Sequence, residues 1–138
     1  MNLSIAAIIR GALSAAVLAA SLSLPALAQQ AAVTRTELLR TDLEGVEGLE
    51  GVMYVTDVAP AGAAPRHFHP GYEFNYVLQG ALVFEPDGEK PFTLSAGQAT
   101  YNPLKHVHAV RNASATEPAK LVVVLVHQKG QPLAVPAQ

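Results

Sequence analysis

After residue 30 the apolar positions fall in short runs between turn-forming residues, and no helical period stands out apart from an ambiguous Thr36 to Leu43. Thr34 to Leu43 is a candidate first strand. Leu43 to Gly51 holds three glycines and three glutamates and predicts a loop or wide turn. Gly51 to Val58 is rich in β-formers and predicts a strand; Ala59 to Pro65, with a proline near each end, is a connection. Arg66 to His69 is short and extended, Glu73 to Leu78 is a strand stopped at Gln79-Gly80, and Ala81 to Glu85 is the second arm of a hairpin. In Pro86-Asp87-Gly88-Glu89 proline presets φ and Gly88 accepts a positive φ, so the chain turns there. Pro91 to Leu94, Ala99 to Asn102 and His106 to Asn112 read as further strands. Leu121 to Val126 is an unbroken aliphatic run, expected to be covered on both faces or to lie in a subunit interface. Residues 131–138 hold two prolines and no period, and are expected to form a loose tail. About nine or ten closely spaced strands predict an all-β sandwich or barrel.

The beginning of the chain follows another pattern. Ala6 to Leu24 is almost wholly Ala, Leu, Ile, Val and Ser, broken by Arg10 and Gly11, and leads to Ala26-Leu27-Ala28. A basic start, an apolar run and a small-x-small ending predict a secretory signal over residues 1–28, cleaved after Ala28. The apolar run after Gly11 is short for a retained spanning helix. The expected location is the bacterial periplasm or outside the cell. Residues 29–138 then form one domain, with a core barrel at about 34–128.

Composition narrows the function. Cleavage removes Arg10, leaving eight basic against eleven acidic residues and a net charge of −3. This balance offers no basic stripe for nucleic acid and no polybasic face for an anionic membrane. There is no cysteine, so disulfides and thiolate chemistry are excluded, and stability must come from packing, a metal or a partner subunit.

Four of the five histidines form two His-x-His pairs, His67-Phe68-His69 and His106-Val107-His108. Residues i and i+2 of a strand share a face, so His67 and His69 can aim two imidazoles into one space. Pro70-Gly71 can turn the chain so that Glu73 faces the same interior. Three or four imidazole and carboxylate ligands on adjacent strands suit a divalent first-row metal, with soft metals disfavoured by the lack of cysteine. His106 shares a face with His108 and reads either as an inward base or ligand or as a hydrogen-bonded residue at the barrel mouth. Arg66 should point away from that face. Asn75 and Val77 share the face of Glu73. The four tyrosines are core residues by default, and His127 is structural.

The stretch His67-Phe68-His69-Pro70-Gly71-Tyr72-Glu73, followed by six residues and Gly80, resembles the first cupin motif, His-x-His-x3-Glu-x6-Gly. Gly97, five residues, Pro103, then His108 and three residues to Asn112, is similar to the second. The motifs span residues 62–112. Gly62 sits one residue closer to the first histidine than the usual pattern, and Lys105 stands where a glycine is expected. The resemblance implies a double-stranded β-helix, a jelly-roll-like barrel, with His67, His69, Glu73 and His108 as the four metal ligands. It also implies one divalent metal (Fe, Mn, Ni, Cu or Zn) with open coordination positions and a homodimer.

Small cupins similar to this one are often called quercetin-dioxygenase-like. The resemblance therefore implies a metal-dependent oxygenase, with isomerase, lyase or decarboxylase chemistry open to the same site. Glu73 is the candidate catalytic residue, shifting between ligand and base while an oxygen-rich organic molecule binds. The alternative is a binding module without turnover. Protonation of the histidines predicts metal loss at about pH 5 and below.

Overall fold

The computed structural model describes residues 32–138. The expected signal segment, residues 1–28, and its cleavage site lie outside the described residues. Ten strands follow one another: β1 (Val33–Asp42), β2 (Leu49–Val58), β3 (Ala63–Phe68), β4 (Gly71–Gln79), β5 (Ala81–Pro86), β6 (Phe92–Ser95), β7 (Ala99–Asn102), β8 (His108–Asn112), β9 (Ala119–Gln128) and β10 (Val135–Pro136). The ambiguous Thr36 to Leu43 is strand: β1 pairs with β2 along its length, with a bulge between Glu37 and Leu39.

The chain weaves two five-stranded antiparallel sheets, β1-β2-β9-β4-β7 and β10-β3-β8-β5-β6. Successive strands pass back and forth between the layers, which is the double-stranded β-helix. The interior faces carry the core, centred on Val52, Tyr54, Val77, Leu82, Phe84, Val123 and Leu125. Phe84 stacks on Phe92 with ring centroids 5.5 Å apart. Burying each large aliphatic side chain contributes about 1.5–3 kcal/mol, so a core this size suffices without disulfides.

The aliphatic run of β9 is not buried on both sides. Leu121, Val123 and Leu125 face the core, whereas Val122, Val124 and Val126 are only half-buried on the outer face. Outward on neighbouring β4 and β7 are Tyr72, Phe74, Tyr76, Leu78 and Tyr101, all nearly half exposed. Sequence periodicity could not separate the two faces, because both are apolar.

The expected loose tail is also corrected. Val135 and Pro136 pair with Phe68 and His67 of β3, and the Ala137 N–H donates to the Arg66 carbonyl over 3.1 Å. Proline tolerates such an edge position because its missing N–H would face away from the ladder. Gly71 opens β4 with its α-carbon against Val126 and His127 of β9, so no larger residue fits this approach.

Candidate metal centre

The register of the second sheet builds the site. His67 on β3 lies directly opposite His108 on β8. Directly paired residues share a face, and their rings meet with centroids 4.5 Å apart. His69 lies just past the end of β3, its ring 4.9 Å from that of His67. All three are buried, and their ligating atoms lie within 4.8 Å of one another.

Glu73 comes from β4, in the facing sheet, and is 4% exposed. Its Oε1 lies 3.2 Å from His69 Nε2 and its Oε2 3.5 Å from His108 Nε2. Asn102, opposite Glu73 on β7, donates its amide to Oε2 over 2.6 Å. Asn102 thus holds Oε2, which still faces His108, while Oε1 is turned toward His69.

Each imidazole is held from behind. The Nδ1 of His67 donates to the Pro65 carbonyl at 2.7 Å, that of His69 to the Leu133 carbonyl at 2.5 Å, and that of His108 to the His106 carbonyl at 3.0 Å. A carbonyl can only accept, so the proton of each neutral ring sits on Nδ1 and the Nε2 lone pair is left free. Burial pushes the His67 imidazole down to about 4, against lesser upward pulls from the Pro65 carbonyl and Glu73. Burial likewise lowers His69, with Glu73 opposing it. His67 and His69 are therefore neutral near pH 7, the form in which histidine binds metal. His69 Nε2 is buried with no hydrogen-bond partner. Nε2 lone pairs and carboxylate oxygens converge here with His69 Nε2 left unpartnered, an arrangement that suits a cation.

A cavity of about 30 Å³ adjoins these groups, lined also by Arg35, Tyr54 and Asn75. That is room for about two waters. Burial and the Glu73 charge push the Tyr54 phenol upward, with Arg35 opposing them, so the hydroxyl stays protonated.

The four expected ligands are thus neighbours, although only the three histidines form one mutually close group. Asn75 and Val77 share the inward face of Glu73, as expected. His106 does not join the ligands: it precedes β8, half-buried, with Nε2 3.3 Å from the Asp87 carbonyl and 3.8 Å from Glu89. Arg66 points outward and pairs with Asp87. Of the tyrosines only Tyr54 is in the core; Tyr72, Tyr76 and Tyr101 are on the outer face. His127 is buried beside Glu50, 3.1 Å away, in a structural pair away from the centre.

Sequence reasoning missed three groups: Asn102, the Leu133 carbonyl and Arg35. The position of Asn102, six before His108, carries no signal by itself. A backbone carbonyl carries none at all.

A small β-barrel of this topology with three buried histidines and a carboxylate gathered inside it suggests a metal site. The sequence matches the cupin domain family over residues 54–125, more than half of the chain, and the protein belongs to that family. No curated protein matches it. Among solved structures, it is similar to a cupin-like protein of Thermotoga maritima (TM-score 0.61, 23% identity, covering 76% of this chain and 75% of that one). It is similar to an oxalate oxidase in complex with the substrate analogue glycolate (TM-score 0.60, 25% identity, 78% of this chain and 56% of the other). It also resembles a DMSP lyase of Ruegeria pomeroyi DSS-3 (TM-score 0.56, 25% identity, 63% of this chain and 43% of the other). The chain spans less than half the length of that lyase.

Proposed function

We propose that this chain is an exported cupin that holds one divalent transition metal on His67, His69, Glu73 and His108 and acts on a small oxygen-rich molecule there. The observation that carries the reading is the convergence of three Nδ1-tethered imidazoles and a carboxylate, with the buried His69 Nε2 left without a partner. The donor set of nitrogen and oxygen atoms fits Fe, Mn, Ni, Cu or Zn. When bound, the metal supplies Lewis acidity and, if redox-active, access to dioxygen chemistry. The backbone carbonyls fix ring orientation, Asn102 fixes one oxygen of Glu73, and the other oxygen is placed to accept a proton from a substrate. Tyr54 lines the cavity as a protonated phenol.

Oxygenation of a chelating enol, phenol or hydroxy acid is the reaction class proposed. The likenesses to an oxalate oxidase and a DMSP lyase, each over part of a longer protein, support small-molecule chemistry in such a barrel. The cavity of about 30 Å³ favours a second reading, a binding module that holds a small ligand without turnover. Elemental analysis of protein purified without added metal or chelator tests the centre. About one equivalent of metal is expected, lost in a His67→Ala, His108→Ala variant; no metal even after reconstitution sinks the proposal. Oxygen-uptake and product assays with the loaded protein then separate turnover from binding alone.

We also propose that the protein is a homodimer joined through the outer face of the first sheet. The exposed Tyr72, Phe74, Tyr76 and Tyr101 beside half-buried Val122, Val124 and Val126 form a continuous apolar surface, of the kind that monomers rarely leave bare.

A further inference from the structure

The β1 positions that pair with inward-facing residues of β2 are charged and exposed at the edge of the sheet, and all but one of the charges are neutralised. Register with β2 places Arg35 opposite Thr56, Glu37 opposite Tyr54, Arg40 opposite Val52 and Asp42 opposite Glu50, all on the core-facing side of the sheet. Arg40 pairs with Glu37 at 2.7 Å and Glu50 at 2.6 Å, and Asp42 pairs with Lys129 at 2.5 Å. Among the described residues Arg35 forms no ion pair.

Arg35 also stands at a neck. With His67 it lines the small cavity of the candidate metal centre, and with His67 it lines an outer chamber of about 420 Å³ bounded by Val33, Ala64, Arg66 and Pro136. The other guanidinium of that chamber, Arg66, is already taken by Asp87. Inside the neck, Asn75 is 3% exposed and its amide nitrogen has no hydrogen-bond partner. A guanidinium that touches the Tyr54 hydroxyl but has no anionic partner, and an unsatisfied buried amide donor, therefore line the same small space. Both call for an acceptor, and the guanidinium calls for an anion.

We infer that Arg35 is the specificity residue of this site, and that its ligand is a small carboxylic acid whose carboxylate is bound by Arg35 and Asn75 beside the histidine cluster. The inference rests on the metal-centre reading and narrows its oxygen-rich ligand to an acid. A planar guanidinium matches a carboxylate in two parallel hydrogen bonds, which lysine cannot reproduce. Three neutral imidazoles and one carboxylate around a divalent ion leave a single positive charge, and Arg35 adds a second, so an anion is favoured over its neutral isostere.

The test is calorimetric titration of the protein, loaded with one equivalent of zinc, with glycolate and with its neutral analogue glycolamide. The wild type should bind glycolate at least about tenfold more tightly than glycolamide, the effect of one charge-assisted contact. Arg35→Gln should reduce that preference to what the charge of the metal alone leaves, Arg35→Lys should restore only part of the loss, and Arg66→Gln should leave the preference unchanged, all with zinc content at wild-type level. Equal affinity for the two probes in the wild type overturns the assignment, as does full preference in Arg35→Gln. Equal losses in Arg35→Gln and Arg66→Gln overturn it too, because they show a diffuse field and not a specific anchor. Failure of the wild type to retain zinc takes down the metal-centre reading with it, and metal content tells that outcome from the others.

Discussion

Single side chains at the centre act through neighbours that fix them. Asn102 grips only one oxygen of Glu73, so Asn102→Ala should leave the fold intact and weaken metal binding by about 10–100-fold, the usual effect of removing such a support. Competition with a chromogenic chelator measures it. His67 sets a pH dependence in the metal-free protein. Its folded value of about 4 lies below the ordinary 6.5, so from pH 6.5 down to 4 the unfolded chain takes up a proton that the folded chain refuses. Stability contributed by the neutral ring is complete above 6.5, falls across that window by as much as about 3 kcal/mol, and is level below it. Urea midpoints of chelator-treated protein should drop through this range, and less so in His67→Gln. Lys105, where the motif has glycine, adopts φ of 59°. Lys105→Gly removes left-handed strain but loosens the unfolded chain, for a net gain of roughly 0.5–1 kcal/mol, seen as a melting temperature higher by a few degrees.

At the scale of elements, the sequence was informative wherever local chemistry dictated backbone shape. Pro86 to Glu89 turns as its proline and glycine require, with Gly88 at φ of 76° and the Glu89 N–H on the Pro86 carbonyl. Register places His67 opposite His108, and the spacing of His67-Phe68-His69 brings His69 to the same group, whereas the second His-x-His pair contributes only His108. Other features depend on partners distant in sequence. Residues 131–138 looked featureless because a two-residue edge strand has no period to display, yet Leu133 packs on the core and its carbonyl holds His69. Nothing in the sequence singles out Arg35 within the candidate first strand, and only its pairing with Thr56 reveals its place in the sheet. Truncation after Gly130 should therefore keep the β-sheet circular-dichroism spectrum, since β2, β9 and β4 remain paired, but lower metal affinity by about 10–100-fold. Unchanged affinity in the truncated protein would show that His69 needs no anchor.

For the whole molecule, the two faces of the first sheet have separate duties. The inner face carries the core and Glu73; the outer face carries exposed aromatics that serve no internal packing. Phe74→Glu with Tyr76→Glu should convert the proposed dimer to a monomer in sedimentation equilibrium, with metal content unchanged, because both side chains point away from the centre. A wild-type mass of one chain would remove the proposed interface.

The Leu133 carbonyl behind His69 also has a consequence in time. Leu133 follows His69 by 64 residues, so at the ribosome the acceptor emerges well after the ring it orients. Nascent chains present a finished set of imidazoles only when the segment around Leu133 has closed over β3. Metal binding that needs the complete set therefore waits for that closure.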